Sequence, residues 1–399
     1  MNALISVVEK LQGEVSSDPA VAVATIVNTR GPAYRRPGAR MIIRRSGATE
    51  GSISAGCLEK DVVAHCQTLQ SAPLLLTYDG STSDDILFGL KLGCDGLVQV
   101  LVEPLTPRSP YLDPRLLKFL KSNRRLAAVT IFHNHKESNV SQGLSMCLTT
   151  GVCDSELPAT SFLPSSSRPC DCQMFGKLPS LVEGRVKKEA EHAMAQGHNI
   201  VLCSSACGTI YNALLEVVEP TPSLLICGSG PDAQVLSDLA LKLGWHVTVT
   251  DYATRLKHAP GFESVQTMPI DSTELTDALH QHAFTCAVVM SHDIDCDKLA
   301  LDSLLREDLE YTGVIGPTRR TNKMLAELAV EGTPVKQDRL ARLFSPAGLD
   351  IGADSPEEIG LSVLAEIKTV LSHQNAGFLR DKKGPIHTPV DHVNDVPEG

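Results

Sequence analysis

The stretch LLICGSGPDA, residues 224–233, indicates how the C-terminal half of the chain folds. It fits the pattern G-x-G-x-x-G/A and lies between a predicted strand, Ser223–Cys227, and a predicted helix, Asp232–Leu243. Gly228 permits a tight turn, and Gly230 permits close approach of a phosphate to the backbone. The stretch therefore predicts a Rossmann-type parallel sheet that begins near residue 222.

An acidic residue follows at the end of the next predicted strand. Asp251 closes the strand His246–Thr250, at the position where an acid hydrogen-bonds a ribose hydroxyl in NAD-binding proteins. Ser229 lies in the loop that precedes the helix N-terminus, which favours phosphate. NAD, another phosphate ligand and no ligand at all remain open for this crevice, because fold does not determine function.

A third feature is predicted at the same edge of the sheet. His292 follows the predicted strand Phe284–Met290, where open α/β sheets bind ligands. We interpret it either as a ligand-contacting or proton-transferring residue or as a polar loop residue before the next helix.

The chain divides into segments of different pattern. Residues 1–218 mix strands and helices and predict an N-terminal α/β domain, with a loop-rich insertion near 134–184. Two prolines in Glu219–Pro222 predict a linker. Residues 222–373 alternate strands and helices, as a parallel sheet requires. Residues 374–399 predict a mobile tail.

The composition excludes several classes of protein. The 399 residues carry a net charge of −11, with 42% hydrophobic residues. Global disorder is excluded, and generic binding to nucleic acid or an anionic membrane is disfavoured because no basic excess exists. No apolar run approaches the ~20 residues of a membrane span. We therefore expect a cytoplasmic protein with reduced cysteines.

Two motifs near the N-terminus point to an anion-binding site. The first places Arg35, Arg36 and Arg40 around Gly38, and guanidinium groups bind phosphate or carboxylate in pairs of hydrogen bonds. The second, GSISAGCLE at 51–59, precedes a predicted helix and offers backbone and hydroxyl donors. A solvated basic loop is the alternative interpretation. The residues of the second motif that we assign to the candidate site are Gly51, Ser52, Ser54, Gly56, Cys57 and Glu59.

Two cysteines differ from the others by lying beside glycines. Cys57 is predicted near a helix N-terminus, where a thiol becomes more acidic and more reactive. Cys94 lies in Gly93–Gly96, a predicted loop. A thiolate suits sulfur transfer or a soft metal centre. The spacing of the other cysteines argues against a structural zinc site.

These motifs together resemble the XdhC/CoxI family, the xanthine dehydrogenase accessory factors. The matching segments are RRPGARM at 35–41, GSISAGCLE at 51–59, LGCDG at 92–96, VLVEP at 100–104, LLICGSGPDA at 224–233, VTVTD at 247–251, VVMSHDIDCDKLAL at 288–301, YTGVIGPTRRTNKMLAEL at 311–328 and SPAGLDIGADSPEEIGLSVLAEI at 345–367. The chain departs from the family pattern at Ala55 and Pro231, where the family commonly has a glycine and a histidine.

The resemblance implies a maturation factor rather than a metabolic enzyme. Family members bind the molybdenum cofactor, support its sulfuration with a cysteine desulfurase and insert it into the apo form of a xanthine dehydrogenase-type enzyme. Cys57, with Cys94 as a second candidate, is then expected to contact molybdenum or a transferred sulfur. A homodimer is compatible with this interpretation. The alternative is an NAD-dependent oxidoreductase that uses the Rossmann domain.

Overall fold

The computed structural model describes most of the chain. The described residues are 3–13, 16–31, 33–54, 56, 58–67, 72–79, 96–121, 124–133, 142–149, 171–175, 178, 180–206, 209–330, 337–383 and 390–395. The chain forms two compact units, one of residues 221–386 and one of residues 2–220 with 387–399.

The strands and the helices are numbered separately in chain order. The strands are β1 Ala20–Arg30, β2 Arg40–Arg44, β3 Thr49–Gly51, β4 Leu74–Asp79, β5 Leu97–Pro104, β6 Leu126–Phe132, β7 Gly143–Thr149, β8 Asp171–Met174, β9 Ile200–Ala206, β10 Thr209–Val218, β11 Ser223–Cys227, β12 His246–Asp251, β13 Gln266–Pro269, β14 Cys286–Val289, β15 Tyr311–Val314, β16 Leu343–Phe344 and β17 Asp391–Asp395. The helices are α1 Ala3–Gly13, α2 Glu59–Gln67, α3 Pro114–Leu120, α4 Ser180–Gln196, α5 Pro231–Lys242, α6 Ala253–Leu256, α7 Thr273–His280, α8 Ile294–Arg306, α9 Thr318–Val330, α10 Gln337–Leu340 and α11 Pro356–Leu371.

The N-terminal unit is a sandwich of two sheets covered by helices. Its first sheet has the order β3-β2-β1-β5-β4 and its second the order β17-β9-β10-β6-β7-β8. One core, which includes Val23, Ile42 and Ala128, joins facing sides of the two sheets. The outer side of the first sheet packs against α2, and that of the second packs against α4. Because successive side chains of a strand point to opposite faces of the sheet, each strand contributes both to the core between the sheets and to an outer layer.

Two parts of this unit differ from the sequence prediction. The segment predicted as a loop-rich insertion, with a hairpin around Leu144–Thr149, contains β7 at that hairpin and a further strand, β8; β7 pairs antiparallel with β6, and β8 pairs antiparallel with β7. The segment predicted as a mobile tail contains β17, which pairs parallel with β9 from Asp391 opposite Ile200 to Asp395 opposite Ser204. An edge strand offers unpaired N–H and C=O groups, which explains why a polar segment of low strand propensity becomes ordered there.

The C-terminal unit confirms the predicted Rossmann sheet. Its order is β13-β12-β11-β14-β15-β16, and every pair is parallel. Numbered from β11, this is the 3-2-1-4-5-6 order of dinucleotide-binding folds. A capping box begins α11, because the Ser355 side chain accepts from the Glu358 N–H while the Glu358 carboxylate accepts from the Ser355 N–H. β13 and α7 were not predicted from the sequence, because each is short, with four and eight residues.

Candidate functional site

Arg40, one of the three predicted anion-binding arginines, lies in the protein interior. Its side chain is 0% exposed, and its Nη1 atom lies 2.6 Å from Glu216 Oε2 on β10 and 3.0 Å from the Gly38 carbonyl oxygen. Burial by itself lowers the pKa of Arg40, but the adjacent Glu216 carboxylate outweighs burial and raises it. Arg40 is therefore a charged member of a buried ion pair and is not presented to an external anion.

The turn before Arg40 has a different environment. The side chains of Arg35 and Arg36 are exposed. Gly38 has φ +99°, and a Cβ atom there would lie 3.0 Å from Glu216 Cδ. The Arg40–Glu216 pair thus requires a glycine in the turn, while the two preceding arginines remain at the surface. Of the three predicted arginines, only these two are placed to meet a ligand.

A buried polar cluster continues from Arg40 between the two sheets. The Tyr111 hydroxyl donates to Glu103 Oε2 at 2.6 Å, and the Leu144 N–H donates to Glu103 Oε1 at 2.9 Å. Burial raises the pKa of Glu103. These groups are enclosed and hydrogen-bonded to each other, so we assign them to the structure of the sandwich. No sequence motif pointed to this cluster, because its members come from separate strands and a helical turn.

The predicted donors of the 51–59 loop are occupied by a side chain of the loop itself. Glu59, the first residue of α2, accepts hydrogen bonds at Oε1 from the Ser54 N–H at 2.7 Å and the Ile53 N–H at 3.2 Å. Ser52 Oγ lies 3.2 Å from the same oxygen, and Ser54 Oγ donates to Oε2. Burial would raise the pKa of Glu59, but the hydrogen bonds from Ser54 and Ser52 outweigh it and lower the pKa.

Ser54 connects this carboxylate to the start of α2. Its Oγ atom accepts hydrogen bonds from the Gly56 N–H and the Leu58 N–H, each at 3.1 Å. This arrangement is that of a helix N-terminus satisfied by a serine hydroxyl. Cys57 and Cys94 lie outside the described residues, so the two cysteines predicted for the site stay predictions.

Gly51 sets the entrance of the loop. Its φ is +84°, and a Cβ atom would lie 2.6 Å from the Arg40 carbonyl oxygen. Gly56 has φ +104° and nothing within 4 Å of a Cβ atom. Both glycines are exposed. The first is required by close backbone approach and backbone conformation, the second by conformation alone.

The glycine loop between β11 and α5 lies where the sequence predicted it, but its first glycine packs directly against the loop after β14. Gly228 has φ +133°, and a Cβ atom there would lie 2.7 Å from the Met290 carbonyl oxygen. The loop after β11 is thus pressed against the loop after β14. Gly230 is the N-cap of α5 and makes no side-chain cap bond, and Pro231 begins the helix. Pro231 has no N–H group to offer a phosphate.

Asp251 is engaged within the fold instead of being presented to a ribose. Its side chain is 2% exposed, and its Oδ2 atom accepts from the Ser229 N–H at 2.9 Å and the Ser229 hydroxyl at 2.8 Å. Its Oδ1 atom accepts from the Tyr252 N–H at 2.7 Å. This arrangement opposes the predicted ribose contact, because both carboxylate oxygens already have donors.

His292 lies at the predicted edge in an unusual backbone conformation. Its φ is +59°, and its Nε2 atom lies 3.5 Å from Asp232 Oδ2 in the first turn of α5. The preceding residue, Ser291, donates its N–H to the buried Asp297 at 3.0 Å, and Arg320 lies 2.7 Å from the other oxygen of Asp297. The backbone of the loop that carries His292 is therefore fixed by the buried Asp297, while the His292 side chain is exposed.

Arg255, which no sequence motif singled out, also lies at this edge. Its Nη2 atom lies 2.7 Å from Asp293 Oδ2, and its Nη1 atom lies 3.6 Å from Asp251 Oδ1. The guanidinium group therefore connects the ends of β12 and β14. Its position four residues after Asp251 was a usable signal, although only the sheet order shows that Asp293 lies nearby.

Metal ligands are not gathered at this edge of the sheet. Within the described ranges, no group of three or more His, Cys, Asp or Glu residues is arranged to hold a metal ion. A cavity of about 520 Å³ lies at the opposite, amino-terminal edge of the sheet, beside Trp245, His246 and Phe284. Ligands of open α/β sheets bind at the carboxyl edge.

No helix in the described part of the chain is both long and apolar enough to cross a membrane.

Comparison with known proteins gives related domains in both units. A model of the XdhC and CoxI family matches residues 15–79, and a model of the XdhC Rossmann domain matches residues 224–367. A Bacillus subtilis protein named as a probable subunit of xanthine dehydrogenase is 26% identical over 351 residues, which cover 86% of this chain and 91% of that protein. The uncharacterised Escherichia coli protein YqeB is 26% identical over 219 residues, 52% of this chain and 37% of that protein.

A solved structure shares the fold. The crystal structure of a xanthine dehydrogenase from Bacillus halodurans matches with a TM-score of 0.64 at 24% identity, covering 94% of this chain and 97% of that chain. The N-terminal family domain contains the RRPGARM and GSISAGCLE motifs, and the Rossmann domain contains the LLICGSGPDA motif. The resemblance seen in the sequence is confirmed, and the chain belongs to the XdhC and CoxI family.

Proposed function

We propose that the chain is an accessory factor in xanthine dehydrogenase maturation. It binds the molybdenum cofactor as cargo, supports its sulfuration and inserts it into a xanthine dehydrogenase-type enzyme. The observation that carries this proposal is the order of the two family domains, together with an N-terminal loop of exposed glycines around Cys57. The name of the Bacillus subtilis relative supports the choice of client enzyme.

The described residues fit part of this cargo. Arg35 and Arg36 are exposed guanidinium groups, which suit the phosphate arm of the cofactor. Arg40 does not fit, because it is buried with Glu216. The donors of Ser52 and Ser54 do not fit either, because they bond Glu59. In this proposal the two exposed arginines hold the phosphate.

The metal end of the cargo is assigned to Cys57, with Cys94 as the second candidate. A thiolate is a ligand of soft metal centres and a carrier of sulfur. The backbone N–H groups of Gly56 and Leu58, on either side of Cys57, are held by Ser54. The partners in this proposal are a cysteine desulfurase that supplies sulfur and the apo client enzyme. A cytoplasmic location and a homodimer remain part of the proposal.

The geometry does not favour the NAD-dependent oxidoreductase. The carboxylate oxygens of Asp251 already accept bonds from Ser229 and Tyr252, and Pro231 lacks an N–H group for the pyrophosphate. The Asp232 carboxylate, in the first turn of α5, adds a negative charge where a phosphate would bind. We therefore assign the Rossmann unit no role in hydride transfer.

Cargo binding by the full chain tests the proposal. Molybdenum and pterin retained per chain would be counted after anaerobic loading of the wild type, Cys57→Ala and the double variant Arg35→Ala/Arg36→Ala. Arg108→Ala is the matched control, since Arg108 is an exposed arginine of another turn in the same unit. We expect near-stoichiometric binding by the wild type and the control, and at least tenfold weaker binding by both site variants. No binding by the wild type would overturn the proposal.

A further inference from the structure

We propose that the cavity at the amino-terminal edge of the Rossmann sheet binds an uncharged aromatic heterocycle with hydrogen-bond acceptors on its rim, the chemical class of the nucleobases. The cavity has a volume of about 520 Å³ and lies where β11, β12 and β13 begin. Small-molecule sites typically have volumes of roughly 300–1,000 Å³. The proposal is independent of the cargo assigned to the N-terminal unit, because the residues that carry it belong to the Rossmann unit.

The backbone at the end of α5 holds Trp245 in a defined position. Gly244 has φ +76° and donates its N–H to the Leu241 carbonyl oxygen at 2.9 Å. The Trp245 N–H donates to the Ala240 carbonyl oxygen at 3.1 Å. These two hydrogen bonds form a Schellman motif, which ends a helix and fixes the chain that follows it. The turn therefore places the indole ring at the wall of the cavity, directly before β12.

The indole N–H of Trp245 has no acceptor within the described residues. Trp245 is only 7% exposed, yet its nitrogen makes no hydrogen bond there. The nitrogen is not one of the fully enclosed atoms that lack a partner, so it reaches accessible space, and Trp245 lines the cavity. A buried tryptophan N–H usually has a hydrogen-bond partner. A ligand in the cavity would supply the acceptor.

Thr248 supplies a second polar group of the same kind. It is 7% exposed and lines the cavity, and its hydroxyl makes no hydrogen bond with the part of the chain that the structure describes. In the sheet it lies opposite Gln266 of β13, whose amide is exposed and also lines the cavity. Hydroxyl and amide groups both donate and accept. The wall therefore contains several polar groups that can pair with the rim of a heterocycle.

The apolar part of the wall favours a flat ligand. Trp245 and Phe284 contribute aromatic rings, and Val247 and Met268 contribute aliphatic side chains. Aromatic rings interact favourably with other π systems in offset or edge-to-face arrangements. Aromatic and aliphatic surfaces next to a few polar groups are typical of sites for heteroaromatic molecules.

The charges of the wall favour a neutral ligand. None of the described residues that line the cavity is Lys, Arg, Asp or Glu, and the titratable side chain among them is the exposed His246. An ion buried without a partner costs far more free energy than a neutral polar group. The cargo proposed for the N-terminal unit does not fit this cavity, because its phosphate arm would have no Lys or Arg to pair with.

The carboxyl edge of the same sheet differs in this respect. There the N–H and hydroxyl of Ser229 already bond Asp251 at 2.9 and 2.8 Å. At the amino-terminal edge, the polar groups of Trp245 and Thr248 are not engaged with any described residue. The amino-terminal edge is therefore better suited to a small neutral ligand than the crevice that the glycine motif predicted.

The test uses the fluorescence of the full chain, in which Trp245 is the single tryptophan. The emission therefore reports on this cavity directly. Hypoxanthine, an uncharged two-ring base with a carbonyl group, would be titrated into the wild type and Thr248→Val. Thr312→Val is the matched control, because Thr312 is a buried threonine in a strand of the same sheet and does not line the cavity. Gln266→Leu, at an exposed position, covers the case in which Thr248→Val fails to fold.

We expect saturable quenching by hypoxanthine, with a Kd of about 0.1–1 mM for a ligand of this size. Thr248→Val and Gln266→Leu should each weaken binding about fivefold, as the loss of one neutral hydrogen bond predicts. Thr312→Val should bind like the wild type. Trp245→Phe, which keeps an aromatic ring and lacks the N–H, should also bind about fivefold more weakly when binding is followed by calorimetry.

Two further ligands, measured by calorimetry, test the proposed chemical class. Indole has the same two-ring shape but no acceptor, so it should bind at least fivefold more weakly than hypoxanthine. Benzoate is a flat anion and should show no binding at the same concentrations.

Several results would overturn the inference. Quenching that rises linearly without saturation, with no heat of binding, would show that the cavity holds no heterocycle. Unchanged affinity in Thr248→Val, Gln266→Leu and Trp245→Phe would show that these groups do not contact the ligand. Equal binding of indole or benzoate would refute the chemical class. None of these results depends on cargo, so failure of the proposed function would appear separately, in the cargo-binding experiment.

Discussion

The two glycine-rich loops of this chain, at 51–59 and at 228–233, use the same device in different ways. Each connects a strand to a helix, and each gives backbone and hydroxyl donors to a carboxylate of the chain. In the first loop the acceptor is Glu59, the first residue of the helix that follows the loop. In the second it is Asp251, from the neighbouring strand of the sheet.

The origin of the carboxylate decides what each loop can do. Glu59 is a local partner, and both glycines of the first loop remain exposed. Asp251 is 2% exposed, and the base of the second loop lies against Met290. The donors that a motif contains can thus be satisfied by acceptors of the chain itself once it is folded. Only the first loop has a reactive residue type, Cys57, in the middle of its sequence.

The largest expected effect concerns the first glycine of each loop. Gly51→Ala and Gly228→Ala place a Cβ atom 2.6 and 2.7 Å from backbone oxygens, and both positions have positive φ. We expect each to lower the free energy of unfolding by about 3 kcal/mol, because backbone atoms must move and the conformation is strained. Denaturant titration followed by circular dichroism measures this. A loss below about 1 kcal/mol at either position would contradict the described loop.

Asp251→Asn should have the next largest effect. The amide cannot accept on both atoms, so either the Ser229 donors or the Tyr252 N–H loses its acceptor in a buried place. We expect a loss of about 2 kcal/mol in the free energy of unfolding. Asp350→Asn is the control, since Asp350 is an exposed aspartate of the same unit. Equal stability of the two variants would refute the structural assignment of Asp251.

The second glycine of each loop should distinguish the loops. Gly56 has φ +104° with open space at Cβ, so Gly56→Ala should cost about 1.5 kcal/mol from backbone conformation alone. Gly230 has φ −75° and the same open space, so Gly230→Ala should change stability by less than about 0.5 kcal/mol. Thermal unfolding of both variants checks this. Similar losses at the two positions would show that conformation does not separate the loops.

A smaller effect than those of Gly51, Gly228 and Asp251 is the pH dependence carried by Glu59. Its pKa is lowered in the folded protein, so its hydrogen bonds stabilise the fold above the ordinary pKa of about 4.5 and are lost as pH falls through the lowered value. Glu59→Gln should therefore be less stable than wild type by about 1 kcal/mol at neutral pH. The difference should shrink below about pH 4. A difference that grows on acidification has the wrong sign for a carboxylate stabilised by these hydrogen bonds.

The sequence predicted the Rossmann unit better than the N-terminal unit. The pattern 224–233 located β11 and α5, because a parallel sheet buries both faces and its strands appear as continuous apolar runs. In the N-terminal unit the uninterrupted apolar run Leu126–Phe132, which forms β6, has the same character and is buried along its whole length. By contrast, β17 was missed, because its polar residues become a strand only through the edge of β9.

The candidate site shows a similar limit. The motifs correctly predicted loops rich in donors, but they did not predict which acceptors those donors meet. The burial of Arg40 depends on Glu216, which lies 176 positions later in the chain. The engagement of Asp251 depends on the backbone and hydroxyl donors of Ser229, which lies 22 positions earlier in the chain. Local residue types therefore predict which functional groups a loop contains, and long-range packing determines which of those groups are exposed to solvent.

Cargo binding by one variant of each loop tests the central claim most directly. Cys57→Ala changes the first loop, and Ser229→Ala removes the hydroxyl that bonds Asp251 in the second. Molybdenum and pterin retained per chain would be counted for both and for the wild type. We expect near-stoichiometric cargo in the wild type and in Ser229→Ala, with at least a tenfold loss in Cys57→Ala. Cargo that is retained by Cys57→Ala and lost in Ser229→Ala would contradict that claim.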